Sequence, residues 1–521
     1  MGVVVEVNSI PLPETKTPVI SAPPFQLHSP SLTRSPLLDS ISPKTPKSPL
    51  VRMMTPMASP MKKAFSTMEG YLEEVGHLTK LNPQESWLPI TESRNGNAYY
   101  AAFHSLSSGI GVQALLLPLA FTALGWTWGI ICLSVAFVWQ LYTLWLLIQL
   151  HESVPGTRYS RYLQLSMAAF GEKIGKLVVL FPTMYLSGGT CVALIMIGGG
   201  TMKILFQMVC GSTGSSCNAN SLTTVEWYIV FTTSAVILAQ LPNLNSIAGV
   251  SLIGAITAVA YCTLIWSLSV IKGRPMGFSY GPSQVAESDG AKLYTTLNAL
   301  GMIAFAFRGH NLVLEIQGTM PSSLKHPSRL PMWKGVKFSY LIIALCLFPV
   351  AIGGYWAYGN LISNGGMLKA LYKYHGHDTS KIILGFASVL VVVNSLTSFQ
   401  IYAMPVFDNL EFRYTSNMNR PCPWWLRRGF RVFFGCLAFF IAVALPFLPS
   451  LAGLIGGIAL PVTAAYPCFM WIIIKKPQKY GTMWCLNCAL GCLGMILSIL
   501  LVFGAIWTIV ALGIEVHFFK P

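Results

Sequence analysis

From residue 97 onward the chain is a succession of long apolar runs cut by short polar stretches. Eleven runs are long enough to cross a hydrocarbon core about 30 Å thick as helices. They cover residues 98–121, 125–150, 174–205, 225–241, 246–271, 293–319, 335–358, 380–408, 430–448, 451–474 and 483–512. Two of them break their own pattern. The first carries Ser107-Ser108-Gly109-Ile110-Gly111-Val112-Gln113 near its middle. The sixth carries Arg308-Gly309-His310-Asn311 after Phe305, with Glu315 about one turn later. Ionisable groups at bilayer depth cost from a few kcal/mol upward and mark functional positions. Unsatisfied backbone cannot persist in hydrocarbon, so an unwound stretch has to line a cavity inside the protein. For the first span, close packing of small residues is the competing reading.

The pairing of the two interruptions sharpens the picture. They lie five spans apart, which is where inverted five-helix repeats place facing broken helices. The amino termini of the half-helices then offer N–H groups and positive dipole ends to an anion, and freed carbonyls can take an ammonium. The expected fold is therefore an all-α polytopic membrane protein of about eleven helices, with an inverted-repeat core in which helices 1 and 6 are broken. The expected substrate is a small, zwitterionic solute. Candidate binding residues are Ser108, Gly109, Ile110, Gly111, Gln113, Phe305, Arg308, Gly309, His310 and Asn311. Proton coupling would fall to His310, whose side chain titrates near physiological pH, or to Glu315. Each has a structural alternative: a neutral histidine bonded to backbone carbonyls, and an ion pair with a neighbouring helix. His104 reads as structural, and Asp408 as a capping or pairing group for the basic loop that follows it. Gly198-Gly199-Gly200, Gly453 and Gly456-Gly457 read as sites of close helix packing.

Residues 1–95 have a different texture. They are rich in Ser, Pro, Thr and Lys, with no sustained apolar period, and are expected to form a disordered tail. The membrane domain is expected to span 96–521. Ser/Thr-Pro pairs recur along the tail, and Ser42, Thr45, Ser48, Thr55 and Ser59 are candidate targets of a proline-directed kinase. A generic Pro-rich tail is the plainer reading. Near its end, Trp87-Leu88-Pro89-Ile90-Thr91 can pack on the membrane domain.

Composition agrees with this division. Of 521 residues, 53% are hydrophobic and only 10% charged, with a mean hydropathy of +0.58. The net charge of +16 raises the question of nucleic acid, but the positions of the charges answer it. Most Lys and Arg fall in the tail and in the loops around Arg158 and Arg161, Lys325 to Lys337, Arg413 to Arg431, and Lys475 to Lys479. Under the positive-inside rule these are cytosolic. The amino terminus is then cytosolic and the carboxyl terminus outside, and the basic excess reports topology rather than nucleic-acid binding. The loop holding Cys210 and Cys217 falls outside, where a disulfide between them is expected. It has too few ligands for zinc. No nucleophile–base pair or metal-ligand cluster stands out, so neither an enzyme nor a cofactor is expected beyond a coupling proton.

Several strings resemble plant permeases of the amino acid/auxin permease family, in its lysine/histidine-transporter-like branch. They include Trp87-Leu88-Pro89-Ile90-Thr91, Leu141-Tyr142-Thr143-Leu144-Trp145, Val154-Pro155-Gly156, Leu241-Pro242-Asn243-Leu244-Asn245-Ser246, Gly309-His310-Asn311 with Glu315-Ile316-Gln317, and Gln400-Ile401-Tyr402-Ala403-Met404-Pro405. The resemblance implies a LeuT-like fold, proton-coupled amino acid symport by alternating access, and residence in the plasma membrane. This chain also departs from the pattern. Gly111-Val112-Gln113 stands where the family has Gly-Ala-Gly, Arg308 where it has a small residue, and Met302 and Ser187 where it has acids. Arg308 either binds a substrate carboxylate through a bidentate fork, which disfavours a cationic substrate such as lysine, or pairs with Glu315. Auxin or another weak acid as substrate, and a non-transporting amino acid sensor, are the alternative functions.

Overall fold

In the computed structural model, placement is described for residues 85, 87–92, 94–154, 156–210, 222–241, 247–281, 289–323, 325–362, 365–445 and 448–511. All regular structure in these residues is helical. The elements are α1 (Ala98–Gly109), a 3₁₀ turn (Val112–Leu116), α2 (Leu117–Leu150), α3 (Tyr162–Phe170), α4 (Glu172–Cys210), α5 (Thr224–Leu238), α6 (Ala248–Lys272), α7 (Asp289–Ala306) and α8 (His310–Gly318). They continue with α9 (Arg329–Tyr358), α10 (Gly366–His375), α11 (Lys381–Met418), α12 (Trp424–Ala444), α13 (Leu448–Leu460), a π turn (Pro461–Ala465), α14 (Tyr466–Lys475) and α15 (Thr482–Ala511). Each of the eleven expected runs holds a helix.

Eight helical stretches among the described residues are long and apolar enough to cross a membrane. The first, Ala98–Leu150, is 53 residues and reverses direction at Gly125. That residue adopts φ +70°, a left-handed conformation natural to glycine. Phe121 and Gly129 are consequently brought together: a Cβ on Gly129 would stand 2.7 Å from the Phe121 ring. One apparent helix is thus two antiparallel ones.

The core is built by long helices sharing glycine contacts. α11 runs along α4 and α6, while α13 packs between α7 and α15. A Cβ on Gly456 would lie 1.9 Å from the carbonyl oxygen of Gly301, and one on Gly453 would lie 1.9 Å from Asn298 Oδ1. Gly198 meets the Phe231 ring at 2.2 Å in the same sense. Without a hydrophobic driving force between helices in lipid, this close approach is what dispersion and backbone contact require. Gly200 has open space around it and takes no part.

The segment holding Arg158 and Arg161, the Met320 loop, the start of α12 with Arg427, and the stretch from Trp87 to Gly96 that the structure describes gather at one end of the bundle. Arg158 Nη2 donates to the Met320 carbonyl at 2.8 Å, and Arg427 Nη2 donates to the Trp87 carbonyl at 3.3 Å. The Gly96 N–H donates to the Thr319 carbonyl at 2.9 Å. Leu88 and Ile90 are buried, and Thr91 with them, so the stretch from Trp87 to Thr91 packs on the membrane domain. The candidate phosphorylation positions Ser42, Thr45, Ser48, Thr55 and Ser59 lie outside the described residues. So do Cys217, the expected partner of Cys210 at the end of α4, and residues 512–521.

Candidate functional site

α1 stops because its chain turns extended. Ile110 has φ −111°, ψ +112° and Gly111 has φ −150°, ψ −163°. The last internal bond of the helix runs from the Ile110 N–H to the Leu106 carbonyl. Three carbonyls beyond it, those of Ser107, Ser108 and Gly109, lose their helical partners. Side chains replace them. Ser398 Oγ donates to Ser107 O at 3.1 Å, the Tyr402 hydroxyl to Ser108 O at 2.7 Å, and Gln113 Nε2 to Gly109 O at 2.9 Å. Gln113, a departure from the family pattern, therefore closes the break from within. Ser398 and Tyr402 come from α11, nearly three hundred positions away.

The second break comprises Phe307, Arg308 and Gly309, between α7 and α8. It faces the first. A Cβ on Gly309 would lie 3.3 Å from Ser108 Oγ, and one on Gly111 would lie 3.0 Å from Arg308 Nη2. A larger residue at 111 would collide with the guanidinium. Ser108, Gly109, Phe307, Gly309, Tyr340 and Ile343 line one cavity at this junction.

The polar residues of the second break diverge. Arg308 is fully buried. Its guanidinium carbon sits 4.7 Å from the ring centroids of both Phe305 and Tyr402. It forms no ion pair with Glu315, which removes that expectation. His310 turns the other way, toward α2. Its Nε2 lies 2.9 Å from the Gln140 carbonyl and 2.9 Å from Thr143 Oγ1. Thr143 in turn donates to the Thr463 carbonyl at 2.8 Å, in the π turn. A carbonyl only accepts, so Nε2 carries the hydrogen and Nδ1 is the basic nitrogen. Nδ1 makes no hydrogen bond among the described residues. Asn311 Nδ2 donates to Ser187 Oγ of α4 at 2.9 Å.

Glu315 lines a second cavity together with Asn311, Arg161, Thr183 and Asp408. It makes no ion pair among the described residues. Asp408 corrects another expectation. Its partner is Arg161, before α3, at 2.5 Å and 3.2 Å, and not the basic loop that follows it. The basic residues at the start of α12 pair instead with Glu411 of α11, through Arg427 at 3.0 Å and Arg431 at 3.9 Å. Arg161 is also held by Thr91 at 3.4 Å and Glu85 at 3.8 Å. The packed end of the tail thus closes over the Arg161–Asp408 pair. His104, on α1, has its Nδ1 2.7 Å from Ser251 Oγ of α6.

Residues that sequence reasoning did not single out are Tyr402, Ser398, Gln140, Thr143, Thr463 and Arg161. Gln140, Thr143, Ser398 and Thr463 carried a signal, as polar groups inside apolar runs.

Two interrupted helices facing each other inside an apolar bundle define a fold class, that of helical membrane proteins with a LeuT-like core. Solved structures show the same fold. The substrate-bound outward-open state of a Na⁺-coupled sialic acid symporter matches with a TM-score of 0.51 at 10% identity, over 85% of this chain and 95% of that one. A manganese transporter from Eremococcus coleocola matches with 0.51 at 12% identity, over 80% and 88%. The sequence places the protein within the class. Residues 94–511 match the family described as "Transmembrane amino acid transporter protein", and the chain belongs to this family. It is 58% identical to "Lysine histidine transporter-like 8" of Arabidopsis thaliana, over 99% of this chain and 98% of that protein. It is 48% identical to "Lysine histidine transporter-like 7" of the same plant, over 84% and 90%. It is thus an amino acid transporter of the membrane, with relatives in plants.

Proposed function

We propose that the protein imports amino acids together with protons, by alternating access around the junction of the two breaks. The observation that carries this reading is His310. It sits at the start of α8, buried, with Nε2–H spent on Gln140 and Thr143 and Nδ1 without a partner among the described residues. A proton reaching that nitrogen converts a neutral group into a cation inside the break, and the break is where the solute binds. Release of both to the other side restores the neutral ring.

The side-to-side cycle uses the Arg161–Asp408 pair and the 85–92 segment as the seal at the basic end. We place that end, and the Ser/Pro-rich tail, in the cytosol by the positive-inside rule, with the carboxyl terminus outside and the plasma membrane as residence. Proline-directed kinases would then reach the tail. No cofactor is invoked, the coupling ion being the proton.

The test is uptake into liposomes. Radiolabelled amino acids should accumulate when the lumen is alkaline relative to the outside, and His310→Ala should abolish accumulation. Uptake indifferent to the proton gradient would remove the coupling. Binding without uptake would favour a sensor.

A further inference from the structure

Arg308 is a buried cation without a counter-charge among the described residues. It is 0% exposed, and no carboxylate or backbone carbonyl accepts from its Nε, Nη1 or Nη2 there. The rings of Phe305 and Tyr402, each 4.7 Å away, contact its guanidinium carbon. Such rings stabilise a desolvated cation but leave the N–H fork at its edge unsatisfied. Isolated charge in a low-dielectric interior is costly unless an anion joins it. The fork reaches the first break, with Nη2 close against Gly111.

The same break is poorly equipped for a cation. The carbonyls of Ser107, Ser108 and Gly109 already accept from Ser398, Tyr402 and Gln113. An ammonium arriving there would share or displace those donors, beside a guanidinium.

We infer that Arg308 is the charge-selecting residue of the site: its fork receives a carboxylate, and the favoured solute carries a net negative charge. The inference rests on the reading that the two breaks form the solute site. The shared chemistry is a carboxylate with no compensating cation, found in acidic amino acids and in amine-free carboxylic acids.

The test uses the full chain in detergent, with ligand-induced shifts in melting temperature and competition binding as readouts. The probes are L-glutamate, L-aspartate, L-alanine, L-lysine and propionate. Glutamate or aspartate should stabilise the protein and lysine should not. Arg308→Met should lose the response to anions, about tenfold or more in affinity, while its ligand-free melting temperature rises because the uncompensated charge is gone. Arg308→Lys keeps the charge without the fork and should recover part of the affinity. Lysine binding as well as glutamate, or an unchanged ranking in Arg308→Met, would overturn the inference. Propionate binding without any amino acid would uphold Arg308 and instead remove the amino acid reading. Acidic amino acids that bind but are not accumulated by a proton gradient would uphold Arg308 and remove only the coupling.

Discussion

The Tyr402 hydroxyl donates to the carbonyl oxygen of Ser108 at 2.7 Å, so a side chain of α11 supplies the hydrogen bond that α1 gives up where it breaks. The same tyrosine ring lies against the Arg308 guanidinium. One residue therefore supports both the opened backbone and the cation beside it. Tyr402→Phe separates the two roles, since it keeps the ring and deletes the donor. A buried carbonyl left without a partner costs about 1–3 kcal/mol. Thermal melts in detergent should show a loss of that order for Tyr402→Phe, and a similar loss for Ser398→Ala. An unchanged melt would mean that the break does not depend on α11.

The Arg161–Asp408 pair makes a stronger demand. Both residues are almost fully buried. Removing one charge strands the other, which typically costs about 3–5 kcal/mol. Asp408→Asn should therefore destabilise the protein much more than Glu85→Gln, whose carboxylate is farther from Arg161 at 3.8 Å. Loss of the pair should also expose the basic end of the bundle, read as faster labelling of a cysteine placed at Thr183. Equal melts for the two variants would contradict this assignment of the seal.

Glycine contacts give a sharp internal control. Gly456→Ala puts a methyl group 1.9 Å from the Gly301 carbonyl oxygen, and backbone there has nowhere to go. Separation of α13 from α7 follows, and folded protein should be nearly absent by size-exclusion chromatography. Gly200→Ala meets nothing within 4 Å and should be neutral or stabilising by up to about 1 kcal/mol, the helix propensity difference.

Stability should fall on the acid side of neutrality. Burial holds the His151 imidazole down to about 4, against about 6.5 in an unfolded chain. The unfolded state therefore binds a proton first. This contribution is complete above pH 6.5 and is lost as pH drops toward 4. His151→Gln should flatten melting temperature against pH in that window. Glu152 acts lower. Burial opposes its charge, but His151, Arg158 and the Ser328 hydroxyl outweigh burial and hold it down to about 2. Its contribution is complete above its ordinary value near 4.5 and fades between there and 2, so Glu152→Gln should leave the upper window intact.

Much of the architecture was legible in the residues themselves. Run length and apolarity place the helices, because hydrophobic burial is additive and local along the chain. Ser107 to Gln113 and Arg308 to Asn311 mark the two breaks, because polar groups and glycine inside an apolar run are costly in hydrocarbon unless the helix opens there onto a cavity. Gly453 and Gly456 announce close packing, because a position without a Cβ lets a neighbouring backbone approach. The partners of those residues were a different matter. Arg308 and Glu315 are only seven positions apart, yet they do not pair, since the break turns Arg308 toward Phe305 and Tyr402. Asp408 meets Arg161 and not the basic loop next to it, and His310 looks to Gln140 and Thr143. Ser398 and Tyr402 reach across from a helix nearly three hundred residues later. By itself the sequence determined which segments are helices and where two of them fail. Only the tertiary structure decided which side chain satisfies which exposed group at those failures, because hydrogen bonds and ion pairs act over a few ångströms between residues that the chain order leaves far apart.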